Sequence, residues 1–254
     1  VNIGPYELVG GYEFLLQLQD KDRNYNIISA NIYTEKDGKL FFSPYQVLDI
    51  ENNKIAVIGI TSPPQIDLKK LEIKPPLKIL EKTINELKKI EEIDYIILLA
   101  ALNNEDYSQL RQSNLPVDIV LMAQPRGRSS YLSGARGKMF ARGGREGKYI
   151  GFLSVTINDS KEELTDISYA NYKKSFVGRR IKHYQNSAKD TTMEAYLAEN
   201  KRIARIYNNL LDSRKEMNDI IDSATNPVSF ELIPVELSVE KKRDIEKAIQ
   251  KVGK

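Results

Sequence analysis

The sequence predicts an α/β fold, and three observations predict it. Two apolar runs, Tyr95–Leu99 and Val117–Met122, are rich in Ile, Leu and Val and about as long as buried strands. Asn104–Gln112 lies between them and is polar and helix-compatible. The segment reads strand–helix–strand, with its strands as parallel neighbours in one sheet. Further on, Gly151–Asn158 and Glu163–Tyr169 alternate like paired antiparallel strands joined by the polar turn Asp159–Glu162. Finally, Thr191–Ser223 carries a helical repeat, predicting a long helix near the C-terminal end.

In chain order, the glycine-rich turn Val1–Gly11 enters a helix over Tyr12–Gln19. Asn26–Tyr33 reads as a strand, and Asp37-Gly38 as a hairpin-type turn. Strands follow over Phe42–Val47 and Lys54–Thr61. The proline-rich stretch Ser62–Pro76 is an excursion. Leu77–Ile90 is a helix, because Leu77, Leu80, Ile84, Leu87 and Ile90 fall three or four apart and make one buried face. Lys173–His183 is cationic, with His183 expected at the surface. Thr191 and Glu194 have capping-box spacing, and Met193, Tyr196, Asn200, Ile203, Tyr207, Leu210, Arg214, Met217 and Ile221 continue the repeat. At 1.5 Å per residue such a helix reaches about 50 Å. That length suits a coiled-coil hairpin, self-association or a protein partner, with docking on the rest of the chain as the alternative. Asn226-Pro227 ends it, Val228–Leu237 alternates as a strand, and Val239–Val252 is a final helix. The change of character divides the chain into 1–185 and 186–254.

Composition excludes several functions. Hydrophobic content of 41% and charged content of 29% are ordinary for a globular chain of 254 residues. A net charge of +3 gives no reason to expect specific nucleic-acid binding. Without cysteine, the chain builds no disulfide, thiolate metal site or c-type haem attachment. With His183 as its one histidine, it builds no multi-histidine metal centre, so no cofactor is expected. No apolar run approaches the ~20 residues that span a bilayer. The start at Val1, without Met, is what a processed or truncated product would show.

In open α/β folds chemistry gathers beyond the carboxyl ends of the strands. Those ends carry Ala100, Ala101, Leu102 and Asn103 after the first strand, and Ala123, Gln124, Pro125 and Arg126 after the second. Beyond them a basic loop, 126–148, holds Arg126, Arg128, Arg136, Lys138, Arg142, Arg145 and Lys148, with Gly127, Gly134, Gly137, Gly143 and Gly144 between them. Arginine forks and bare backbone amides suit an anion, and Arg126, Arg128, Arg142 and Arg145 are its candidate ligands. A solvated loop, or one docking on an acidic partner, is the other reading.

These segments, with Gly147-Lys148-Tyr149-Ile150-Gly151 leading into a strand, resemble the metallophosphoesterase (calcineurin-like) superfamily in its 5′-nucleotidase-like branch. Ser29-Ala30-Asn31 and Pro44-Tyr45 fall in the family's order. The resemblance implies a two-sheet β-sandwich flanked by helices, whose first two strands precede Val1. It also implies a two-metal phosphoesterase centre and a periplasmic or extracellular location. The ligand positions depart from it. In Gly4-Pro5-Tyr6-Glu7 the family's Asn and His positions hold Pro5 and Tyr6. The histidine after the first strand falls on Ala101, and the pair after the second on Gln124 and Arg126. Since two metals perform the family's hydrolysis, the expectation is a degenerate, catalytically inactive domain. It would be a structural or interaction module, leaning to no enzyme role of its own, in a larger exported redox or surface assembly. The alternative is an anion- or nucleotide-binding relative whose residual hydrolase activity is completed by N-terminal residues outside this chain.

Overall fold

The computed structural model describes residues 1–19, 25–123, 127–144, 147–188 and 191–235. The chain opens with helices α1 (Pro5–Val9) and α2 (Gly11–Leu18), then strands β1 (Ile32–Thr34), β2 (Tyr45–Ile50), β3 (Asn53–Thr61) and β4 (Leu71–Ile73). Helix α3 (Pro76–Ile90), β5 (Tyr95–Ala101), α4 (Asn104–Gln112) and β6 (Ile119–Met122) follow. Next come β7 (Ser133–Ala135), β8 (Lys138–Arg142), β9 (Tyr149–Val155) and β10 (Leu164–Asp166). The last described elements are α5 (Ser168–Ser187), α6 (Met193–Glu199), α7 (Lys201–Asp222) and β11 (Asn226–Pro234). The expected final helix Val239–Val252 lies outside the described residues.

Six strands form the main sheet in the order β2-β3-β5-β6-β8-β7. Its centre is parallel and its two outer pairs, β2–β3 and β7–β8, are antiparallel. The strand–helix–strand unit is there as the apolar runs predict, with β5 and β6 parallel neighbours. Alternation along the strands sends side chains to both faces. Leu98, Ala100, Val120, Met122 and Phe140 pack with Leu80, Ile84 and Leu87 of α3 and Leu110 of α4. On the other face Ile119, Met139 and Ala141 meet Val228 and Phe230 of β11. The second sheet, β10-β11-β9, therefore closes a sandwich, and helices cover the far side. A third cluster joins Leu8 and Leu15 of the N-terminal helices to Ile32, Phe41 and Leu71, beside the small sheet β1-β4.

Local chemistry explains the borders. Asn103 Oδ1 accepts the Asp106 N–H at 2.9 Å and starts α4. Pro76 occupies the first turn of α3, where a missing N–H costs nothing. The expected buried face of α3 holds for Leu80, Ile84 and Leu87, but Ile90 is 72% exposed because the helix has run past the sheet there. The expected strand over Asn26–Tyr33 contracts to β1, with Ile28 held only in isolated bridges to Asn2 and Ser43. The excursion 62–76 contains the short strand β4, paired with β1.

Two expectations are corrected. β9 and β10 do not pair, because β11 lies between them, parallel to β10 and antiparallel to β9. Alternation in sequence reports which face is buried, not which strand is the neighbour. The continuous helix over 191–223 is two helices. Asn200, at φ −125° and ψ 73°, breaks the line, and its amide donates to the Tyr196 carbonyl at 3.1 Å. Such side-chain competition for backbone groups disfavours Asn inside helices. The break lets Met193 and Leu197 of α6, with Tyr207 and Leu210 of α7, pack on Val177 and Ile181 of α5. The middle of the predicted seam is thus covered within the chain.

Candidate functional site

A cleft of about 580 Å³ opens beyond the carboxyl ends of β5 and β6, between the two sheets. The turn before α1 forms one wall: an added Cβ on Gly4 would stand 3.7 Å from the Ala101 Cβ. The sequence therefore brings together two of the segments that carry the resemblance. What they present is apolar. Leu99, Ala100, Ala101, Leu121, Met122, Ala123 and Ala141 line the cleft, with Phe230 opposite. Pro5 sits in the first turn of α1, and Tyr6 is 75% exposed, turned to solvent. The Glu7 carboxylate accepts the Gly4 N–H at 2.9 Å, closing the turn as a cap.

One polar residue in the cleft escaped the sequence reading. Asn2 donates through Nδ2 to the carbonyls of Ile60 (2.8 Å) and Leu99 (3.0 Å), tying the ends of β3 and β5. Its Oδ1 is buried without a partner among the described residues. A Cβ at Gly59 would stand 2.6 Å from that oxygen and from the Ile28 carbonyl, so glycine is needed there for close packing. Asn31 plays a comparable part. Fully buried, it clamps Thr61 through both its N–H and its carbonyl, and also donates to the Lys74 carbonyl at 2.8 Å. The Ser-Ala-Asn segment is thereby explained as a structural tie.

The basic loop divides. Gln124, Arg126 and Arg145 lie outside the described residues. Arg128 lies over the Tyr149 ring at 4.6 Å, and its guanidinium also donates to the Tyr149 hydroxyl. Arg142 lies over a different ring, Tyr107, at 4.8 Å. Arg136 donates to Asn114 Oδ1 at 3.0 Å. Lys138, read from sequence as part of a solvated loop, is buried at 1% exposure. Its Nζ donates to the carbonyls of Ser113 (2.6 Å) and Arg136 (3.3 Å), and burial, then Arg136, holds its pKa below the ordinary lysine value. Only the fold shows that Lys138 lies on a strand and that its head finds carbonyls. His183 is exposed beside Tyr184, as expected.

The implied two-metal centre does not fit these residues. Among the described residues no three His, Cys, Asp or Glu come together. Near the cleft, the Glu7 carboxylate is engaged with the cap, and Asn2 Oδ1 is a lone unpartnered oxygen among the described residues, too few donors for two metal ions. Methyl groups stand at Ala101 and Ala123. Such walls supply no ligands for a hard or borderline divalent ion.

No protein-family model matches the chain. Among curated proteins, it is 31% identical over 125 residues to the 5′-nucleotidase of Vibrio cholerae, covering 47% of this chain and 22% of that protein. With the protein UshA of Escherichia coli the identity is 29% over 122 residues, covering 44% and 22%. The chain is metallophosphoesterase-like, of the 5′-nucleotidase branch, over part of its length. Two solved structures share the fold of this 5′-nucleotidase-like chain. A 5′-nucleotidase precursor from Thermus thermophilus matches with a TM-score of 0.53 at 20% identity, covering 64% of this chain and 36% of that one. The Haemophilus influenzae NAD nucleotidase matches at 0.50 and 22%, covering 61% and 35%. The chain thus spans 22% of the curated relatives named here.

Proposed function

We propose that this 5′-nucleotidase-like chain does not hydrolyse phosphoesters and serves as a structural or interaction module. The observation that supports it is the cleft wall: Ala101 stands at the end of β5, where the branch's resemblance calls for a metal-ligating histidine. A two-metal site both polarises the phosphoryl group and generates the attacking hydroxide. Alanine does neither. Domain units at 1–185 and 186–254, which rest on the change of sequence character, and an exported location, which rests on the resemblance, belong to the same proposal.

Elemental analysis of the purified protein, with phosphatase turnover measured in added Mn²⁺, tests the reading. The expected result is less than about 0.1 metal per chain and no turnover above buffer, in keeping with the absent ligands. Stoichiometric metal with turnover would overturn it and favour a centre completed by residues outside this chain.

A further inference from the structure

A second groove, of about 870 Å³, runs between α5, α7 and β11 and shares Tyr149 and Phe230 with the first cleft. Four cations from three parts of the sequence line it: Arg128 from the basic loop, Lys174 and Arg179 from α5, and Arg214 from α7. Glu231 is the one carboxylate among the described lining residues. No salt bridge among the described residues engages Lys174, Arg179 or Arg214. Helix α5 adds Lys173, Arg180 and Lys182 and contains no Asp or Glu. Like charges gathered this way repel one another and weaken the folded state unless an anion offsets them.

Gly178 adds an independent observation. It lies inside α5 and lines the groove, yet a Cβ there would meet nothing within 4 Å. Glycine weakens a helix interior relative to alanine. Packing among the described residues gives no reason for it, whereas close approach of a ligand to the helix backbone does.

We propose that this groove binds a small organic polyphosphate, an ester or anhydride carrying at least three negative charges. Arg128, Lys174, Arg179 and Arg214 hold the phosphates, with the hydroxyls of Ser130, Ser175 and Ser229 as further donors. Guanidinium forks match phosphate oxygens in pairs, and lysine adds a point charge. The volume lies within the range of small-molecule sites. The cations converge from separate elements on one groove instead of forming a track along one surface, which favours a compact ligand over a nucleic-acid strand. This site is independent of whether the first cleft hydrolyses anything.

Titration calorimetry with inorganic tripolyphosphate, at about 150 mM salt to screen diffuse attraction, tests it. Saturable binding of one equivalent is expected. R179Q/R214Q, at two exposed positions, should weaken binding at least about ten-fold while the melting temperature of the free protein holds or rises as the repulsion is relieved. The single variants R179Q and R214Q should each fall between. K36Q/K69Q removes the same charge from exposed positions outside the groove and should leave affinity unchanged. G178A should raise the melting temperature while weakening binding at least about three-fold. The proposal is overturned by non-saturable binding, or by an equal loss in K36Q/K69Q. A polyglutamate peptide that binds through the same arginines while tripolyphosphate does not would overturn it too.

Discussion

Asn226 shows how much one side chain can hold. It is fully buried. Its Nδ2 donates to the Asp159 and Glu162 carbonyls at 2.6 and 2.8 Å and to the Tyr95 hydroxyl at 3.2 Å. Its Oδ1 accepts the N–H groups of Asn158 and Asp159 at 2.8 and 3.0 Å. One amide thus joins the start of β11, the loop before β10 and the start of β5. Asn226→Ala leaves several of those groups unsatisfied and is expected to cost about 3 kcal/mol. Chemical denaturation measures this, and a loss below about 1 kcal/mol would show that water replaces the amide. From sequence, Asn226-Pro227 signals only a helix stop. Its partners lie more than sixty positions away, so no local pattern announces them.

At the level of elements, legibility followed the range of the interactions. Helix α4 has the predicted borders because its cap, Asn103, and its apolar anchor, Leu110, are local. The α5–α7 pairing depends on a turn at Asn200 and on which face α5 offers. Tyr207, 7% exposed, packs among Val177, Ile181 and Leu210, and its ring meets Tyr184 edge-on at 6.3 Å. Tyr207→Ala should cost about 3 kcal/mol through lost contacts and a cavity. Hydrogen exchange should show the effect concentrated in α5 and α7, with β5 and β6 still protected. Equal loss of protection in β5 and β6 would mean that the helix pair does not open on its own.

Across the whole molecule, burial of charge ties stability to pH. Asp118 sits at the start of the second buried run and accepts the Ile96 N–H at 2.7 Å. Burial raises its pKa above the ordinary carboxylate value, and the Ile96 hydrogen bond opposes that shift. The native state therefore holds this proton to higher pH than the unfolded chain does. Its contribution to stability falls as pH rises from about 4 through the raised native value, and is constant above it. Asp118→Asn keeps an acceptor for Ile96 but cannot ionise. Its stability relative to the wild type should rise across that window and then level off, as thermal melts at a series of pH values would show. A difference that stays constant from about pH 4 to pH 7 would exclude Asp118 as the source. The same scale governs the comparison with relatives: the chain shares the fold of a 5′-nucleotidase-type structure, and alanine and leucine side chains dominate the described walls of its cleft.

By itself the sequence determined the α/β class, the parallel β5–β6 unit, and the helices α3 and α4. Each of these is carried by periodicity, capping or a short run of residues, and so is written locally. Only the tertiary structure decided that β11 enters between β9 and β10, that Lys138 is buried against carbonyls, and that Arg128 and Arg142 lie over separate rings. It also decided that Arg128, Lys174, Arg179 and Arg214 share one groove. These depend on which distant surfaces bury one another. A one-dimensional pattern shows which face is apolar and leaves open what will cover it.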